Sequence, residues 1–448
     1  MRYKGDHLSF LPKRINDKII FTTMFTMAAS LLGQKTTINF IKARLTLQEC
    51  TQALHPQVIY PKQANPALFQ QEIKFHLGTF ALEKINLHLI NKAVVHNFNA
   101  GPSILPKEVF QQASEAVLNF NNSGLSILEL GHRTPSFQAV MDEARALVRE
   151  LMQLDDEHEV LFLHGGASTQ FMQVPMNLLG EKDTAAYADT GVWGIKAIKE
   201  AKLFGKVEVV CSGKESNYTI IPKDFAVPND ASYFHITTNN TIYGSQWQKI
   251  PYPSIPLIAD MSSDIFSRVI DFNKFDLIYA GAQKNMGPAG VNLVVVNKNI
   301  LGKIKRAIPT IMDYRNHIKD GSMLNTPPVF AVYVCMLTLR WLKGIGGVAA
   351  VEKLNEAKAA LLYKEIDENP LFTGTVVKED RSKMNVCFVM NNPLLEETFL
   401  AFTKEKNIVG IKGHRLVGGF RASLYNALPI SSVEVLVNTM KEFALSHA

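Results

Sequence analysis

The chain has 448 residues, 47% of them hydrophobic and 20% charged, with a formal charge of +6 at pH 7. That length allows two or three domains, and the composition is that of an ordinary globular protein rather than a fibre or a disordered tail. The basic surplus is local: residues 1–95 hold twelve Lys and Arg against five Asp and Glu, so the rest is nearly neutral and offers nucleic acid no electrostatic footprint.

The first 95 residues are patchy text, with a helical pattern only over Pro66–Ile90. The apolar run Ile19–Gly33 follows Lys13, Arg14 and Lys18 and has Ala28-Ala29-Ser30 near its end, in the manner of a signal peptide. It is short of the roughly 20 residues of a membrane span. Cys50, Cys211, Cys335 and Cys387 are scattered, form no CxxC pair and suggest no metal site. Buried free thiols in a cytoplasmic protein are the expectation.

From His96 the pattern sharpens. Val160–His164, Lys206–Cys211, Tyr233–Thr237, Leu257–Asp260, Leu277–Ala280 and Val291–Val296 are short apolar runs of strand length, and a helix is expected over Gln170–Leu179. Strands apolar throughout are covered on both faces, which predicts an α/β fold around a largely parallel sheet. Beyond Pro327-Pro328, Val329–Lys343 reads as an amphipathic helix, and Val348–Asn369 as a long one. The closing hundred residues run helix, strand, strand, helix, strand (Gly419–Ser423), helix, a smaller α+β domain. The predicted organisation is an atypical extension over 1–95, a large domain over 96–350 and a small one over 351–448.

Chemistry concentrates at a few strand ends. Lys284 lies between a buried strand and a Gly/Pro-rich turn; it is either an exposed loop lysine or a desolvated amine suited to Schiff-base chemistry. Asp260 ends a strand 24 positions earlier, where a carboxylate either pairs with a protonated pyridine nitrogen or caps the following Met-Ser-Ser. His164-Gly-Gly-Ala-Ser-Thr-Gln170 joins strand to helix, and free amides at such a joint bind phosphate. Trp193, in a Gly-flanked turn, suits stacking on an aromatic ring as well as a place in the core.

Several segments together resemble the phosphoserine aminotransferase family, fold-type-I pyridoxal-phosphate enzymes of the class-V aminotransferases. They are Asn97–Pro106, His132-Arg133, His164–Phe171, Thr190–Ala197, Asn239–Gly244, Ala259–Ser263, Ala280–Gly290, Met323–Pro328 and His414–Asn426. The resemblance implies a mostly parallel seven-stranded sheet and a homodimer with shared active sites. It assigns Lys284 as covalent anchor of pyridoxal phosphate, Asp260 to the pyridine nitrogen and Trp193 to the ring face. Thr241 falls near the phenolic oxygen, and Ala167, Ser168 and Gln283 at the cofactor phosphate, joined by Asn325 and Thr326 of a second subunit. His132, Arg133, His414 and Arg415 fall to the substrate phosphate or the glutamate side-chain carboxylate, and Arg421 to the α-carboxylate. The implied substrates are glutamate and a phosphorylated keto acid, 3-phosphooxypyruvate, with the 4-phosphooxy-threonine of pyridoxine synthesis as a second product. No metal, nucleic acid or membrane partner is implied.

Two departures stand out. Some family members carry arginine where this chain has Ser168, and the family begins near Asn97. Residues 1–95 are accordingly read as an upstream start-site artefact, a poorly ordered tail, or a targeting or docking element. Rival readings are another fold-type-I enzyme, such as an alanine–glyoxylate aminotransferase or a cysteine desulfurase using Cys387, and a non-catalytic binder of phosphorylated amino acids.

Overall fold

The computed structural model describes residues 94–447. The readings of the apolar run at 19–33, the helix at 66–90 and Cys50 lie outside the described residues.

The described chain opens with β1 (His96–Asn97), α1 (Lys107–Asn119) and α2 (Pro135–Met152). Thr134 caps α2, its side chain accepting from the Phe137 amide, and Pro135 fills the first turn, where its missing N–H costs nothing. Then come β2 (His158–Leu163), α3 (Gly166–Leu178), β3 (Thr184–Asp189), α4 (Val192–Ala201) and β4 (Lys206–Ser212). Strands β5 (Phe234–Thr237), β6 (Asn239–Asn240), β7 (Ser245–Gln246), β8 (Leu257–Asp260), β9 (Leu277–Gly281) and β10 (Asn292–Asn297) follow. The short α5 (Tyr314–Lys319) leads to α6 (Val329–Gly344) and α7 (Gly347–Glu368). The end of the chain forms β11 (Phe372–Gly374), β12 (Asn385–Met390), α8 (Glu396–Glu405), β13 (Ile408–Val409), β14 (Phe420–Ser423) and α9 (Ile430–His447).

Seven strands make the main sheet in the order β2-β10-β9-β8-β5-β3-β4. Only β10 runs antiparallel to its neighbours; every other pair is parallel. One face packs against α1, α2 and α6, and the other against α3, α4 and α5. This two-sided burial explains why β5, β8 and β9 are buried at every position. A second sheet, β11-β12-β14, is antiparallel and packs with α7, α8 and α9 around Phe372, Phe388, Phe399 and Phe443. Strand β1 reaches this region and pairs in parallel with β13.

Three readings are corrected. The alanine-rich strand β3 (TAAYAD) is absent from the expected strands, because small side chains weaken the hydrophobic signal although Ala185–Asp189 are all buried. Helix α3 begins at Gly166, four residues before Gln170, so the Gly-Ala-Ser-Thr segment is its first turn rather than a loop. Helix α6 is not amphipathic: Ala331–Leu339 are buried without interruption, because it runs inside the core beside α2. Among the described residues no single helix is long and apolar enough to cross a membrane, and no cluster of His, Cys, Asp and Glu is arranged for a metal.

A buried polar ladder crosses the sheet. The Tyr187 and Tyr233 hydroxyls are 2.7 Å apart, and His235 Nε2 meets the Tyr279 hydroxyl at 2.8 Å. His235 Nδ1 has no partner among the described residues, and burial depresses the imidazole from 6.5 to about 3. Below pH 6.5 the unfolded chain therefore takes a proton that the folded chain refuses. Stability falls with pH across the window from 6.5 to 3, by up to about 1.4 kcal/mol per pH unit from this one group. We expect H235N to show a shallower loss of urea-unfolding free energy between pH 7 and 5 than the wild type; identical slopes would contradict this account.

Candidate active site

Parallel strands end together, and in an open α/β sheet the crevice beyond their carboxyl ends is where ligands bind. Here β3 leads to Trp193, β5 to Thr238, β8 ends at Asp260, and β9 leads through Gly281 to Lys284.

The Lys284 backbone is pinned from both sides. Ser103 in the N-terminal arm donates its amide to the Gln283 carbonyl at 3.0 Å and its hydroxyl to the Lys284 carbonyl. On the other side Asn285 donates to the Ile265 carbonyl at 3.1 Å and accepts from the Asn426 amide at 3.0 Å. The Lys284 side chain keeps some surface open to solvent. Protein nevertheless surrounds the amine enough for desolvation to push it down from 10.5 to about 8, against the opposing pull of Asp260 and Asp264 and with help from Arg421. At pH 7 about a tenth is thus a free amine, against well under a thousandth for an ordinary lysine, and the free amine is the form that attacks a carbonyl.

Asp260 is buried. Its Oδ1 accepts from the Ser262 amide at 2.9 Å and the Ser262 hydroxyl at 2.6 Å, while Oδ2 receives no hydrogen bond among the described residues. Burial raises the Asp260 carboxyl above its ordinary value, opposed by Ser262 and Lys284. The two readings of Asp260 are therefore compatible: one oxygen caps the turn and the other remains available. Asp264, also buried, is held by Thr238 at 2.5 Å, Gln246 at 3.1 Å and Arg268 at 3.4 Å.

Trp193 donates its indole N–H to Thr241 Oγ1 at 3.0 Å, and the Lys284 amine lies 5.8 Å from its ring centre. Arg421, on β14, donates Nη1 to the Thr241 carbonyl at 3.0 Å and leaves Nε buried without a partner among the described residues. Lys284, Asp260, Trp193, Thr241 and Arg421 thus converge within one chain, although they span 229 positions in sequence order from Trp193 to Arg421.

Gly165 and Gly166 stand at φ +84° and +61° where β2 turns into α3. A Cβ on Gly165 would lie 1.8 Å from Thr169 Oγ1, so the turn excludes a side chain. No side chain caps α3, leaving the first amides, those of Gly166, Ala167, Ser168 and Thr169, without intrahelical acceptors. Gln283 is half-buried beside Gly101 and Gly281.

His414 and Arg415 ride on the loop between β13 and β14, where Gly413 lets the chain fold back: a Cβ there would lie 1.9 Å from the Gly418 carbonyl. His414 is half-buried and Arg415 exposed. Burial lowers the imidazole, as do the positive charges of Arg421, Arg415 and Lys196.

His132 and Arg133, just before α2, and Asn325, before α6, make no hydrogen bond or ion pair within the described residues. His132 Nε2 is buried without a partner, Arg133 is exposed, and the Thr326 carbonyl meets His164 Nε2 at 2.8 Å. These four residues are not joined to the Lys284 cluster by any such contact.

Sequence reasoning missed Ser103, Ser262, Asp264 and Lys196. Serines carry no pattern, and Asp264 with Arg268 reads as an ordinary i, i+4 ion pair. Cys387 is buried in β12, and burial pushes its thiol up to about 12. A buried neutral thiol is a poor nucleophile, which argues against desulfurase chemistry.

The pattern has relatives. The family model described as "Aminotransferase class-V" matches residues 95–436. The phosphoserine aminotransferase of Flavobacterium johnsoniae is 63% identical over 347 residues, covering 77% of this chain and 98% of the relative. A solved structure recording radiation damage of the Schiff base in phosphoserine aminotransferase superposes with a TM-score of 0.77 at 47% identity, covering 79% of this chain and 99% of that one. The pyridoxal-phosphate-bound phosphoserine aminotransferase of Trichomonas vaginalis gives 0.74 at 37% identity, over 78% and 100% of the two chains. The chain belongs to the class-V aminotransferase family, within its phosphoserine aminotransferase branch.

Proposed function

We propose that this aminotransferase uses pyridoxal phosphate to interconvert 3-phosphooxypyruvate and L-glutamate with O-phospho-L-serine and 2-oxoglutarate. The single observation that carries this reading is the Lys284 amine beyond β9, 5.8 Å from the Trp193 ring centre and depressed by desolvation under the charges of Asp260 and Arg421. The residues suit the cofactor on grounds independent of kinship. A lysine amine depressed by desolvation, a buried carboxylate with an unclaimed oxygen, an indole edge-bound to Thr241, and an uncapped helix start match an aldehyde, a pyridine nitrogen, a ring and a phosphate in turn.

In this assignment Lys284 anchors the cofactor, Asp260 faces its ring nitrogen, and Trp193 covers the ring with Thr241 at its phenolic edge. The α3 start, through Ala167 and Ser168, holds the cofactor phosphate with Gln283. When bound, pyridoxal phosphate supplies a carbonyl for the substrate amine and a protonated ring that takes up the electron pair left at Cα. Lys284 Nζ is the group placed to take the Cα proton and return it. Arg421, with Nε unclaimed, binds the α-carboxylate in a planar fork. His414 and Arg415 bind the far anion of the substrate.

Asn325 and Thr326 serve the cofactor phosphate of a neighbouring subunit in a homodimer, and His132 and Arg133, which make no hydrogen bond or ion pair among the described residues, join His414 and Arg415 at the substrate phosphate or side-chain carboxylate. We also read 96–350 and 351–448 as the large and small domains, and the cytoplasm as the compartment. Formation of 4-phosphooxy-L-threonine uses the same groups, since that substrate differs only near its middle carbons.

The test is an absorption spectrum of the purified protein with pyridoxal phosphate, before and after O-phospho-L-serine. We expect a bound-cofactor band that phosphoserine converts to that of the pyridoxamine form. A band bleached by alanine but untouched by phosphoserine would leave the cofactor assignment intact and refute the substrate.

A further inference from the structure

Lys196 lies one helical turn beyond Trp193 in α4, on the same side of the helix. Its amine sits 4.6 Å from the centre of the Trp193 ring. That contact favours holding the cation over the indole. Lys196 is exposed. Neither Lys196 nor Arg415 joins any ion pair among the described residues. The charges of Lys196, Arg415 and Arg421 all lower the His414 imidazole, and no carboxylate among the described residues opposes them. Three cations whose charges bear on one imidazole repel each other until an anion enters.

Position divides the labour within this group. Arg421 is tied to Thr241, which also holds Trp193. Lys196 is free of such ties and swings on a flexible stem, as a point charge with three donors. A point charge discriminates by ligand charge rather than ligand shape, because Coulomb attraction scales with the charge on the anion. A phosphate monoester carries nearly two negative charges at neutral pH, whereas a carboxylate carries one.

We propose that Lys196 is a specificity-determining residue that favours substrates ending in a dianionic phosphate over those ending in a single carboxylate. This rests on the site assignment above and deepens it: His414 and Arg415 accept either anion, and Lys196 tips the choice.

The experiment compares wild-type, K196M and K196R holoenzymes, with K196Q as a second charge-removing variant should K196M fail to retain the cofactor band. Inorganic phosphate is titrated by calorimetry, and half-reaction KM values are measured for O-phospho-L-serine and L-glutamate. Losing one charge-assisted contact should weaken phosphate, and raise the phosphoserine KM, by about tenfold. The glutamate KM should rise only about threefold, since half the charge feels half the energy. K196R should restore both. Unchanged phosphate affinity in K196M and K196Q would overturn the proposal, as would equal shifts for the two amino acids. If the wild type never reacts with phosphoserine, the substrate reading falls. The phosphate titration still decides on Lys196, with a loss supporting it and no change refuting it.

Discussion

Replacing Lys284 by alanine is expected to slow the half-reaction with O-phospho-L-serine by at least about ten-thousandfold, the upper range for a lost general base. Ser103 and Asn285 fix the backbone around Lys284, so its amine is presented from a held position beyond β9. K284R should be equally inactive, because a guanidinium stays protonated and cannot act as base or nucleophile. A small primary amine added to K284A should restore part of the rate, which a merely structural role would not allow. The variant should also fold well. Wild-type Lys284 titrates at about 8 when folded against 10.5 when free, so the unfolded chain binds the extra proton between those values. The buried amine thus opposes folding fully below pH 8 and not at all above pH 10.5. Apo-K284A should melt no lower than the wild type below pH 8. A K284A enzyme turning over at the wild-type rate would end the assignment.

Substitution of Asp260 by asparagine should cost about a thousandfold in the same half-reaction, the scale seen when one preorganised electrostatic partner is removed from a dry site. Asparagine keeps the size of the side chain and can still accept from Ser262, so packing is not the variable. A second signature is independent of turnover. Asp260 is the largest influence raising the Lys284 amine, so D260N should move that amine's titration below 8. Reductive trapping of the apoprotein with a small aldehyde, with the modified lysine mapped by mass spectrometry, reads this directly: the midpoint for Lys284 should fall to lower pH. D260E should retain the wild-type midpoint more closely. A midpoint unchanged in D260N would mean that the carboxylate does not face the amine.

The legible part of the molecule was the part governed by local pattern. Strands β8 and β9 are apolar at every position because both faces are covered, and that burial shows in the text itself. Strand β3 escaped because alanine is small enough to leave no pattern, although tertiary packing buries it as fully as its neighbours. Helix α6 misled in the opposite sense. Its residues suit a helix, but only the surrounding α2 and sheet determine that all its sides are inside.

The same division holds in the site. Lys284, Asp260 and Trp193 stand out because strand ends, glycine turns and a rare residue mark them; Arg421 is picked out only by the resemblance, and the order of the motifs identifies the family. By itself the sequence determined the chemical vocabulary: an amine, a carboxylate, an indole, a fork of guanidinium and a glycine-rich helix start. Only the tertiary structure decided which of these meet and in what state. The depression of Lys284 needs desolvation by residues far away in the chain. The free oxygen of Asp260 depends on Ser262 claiming the other. Lys196 becomes notable only when α4 brings it over Trp193 and the β13–β14 loop carries His414 within its field. Protonation states and charge clusters follow from distance and burial, which side-chain identity leaves open until the sheet assembles.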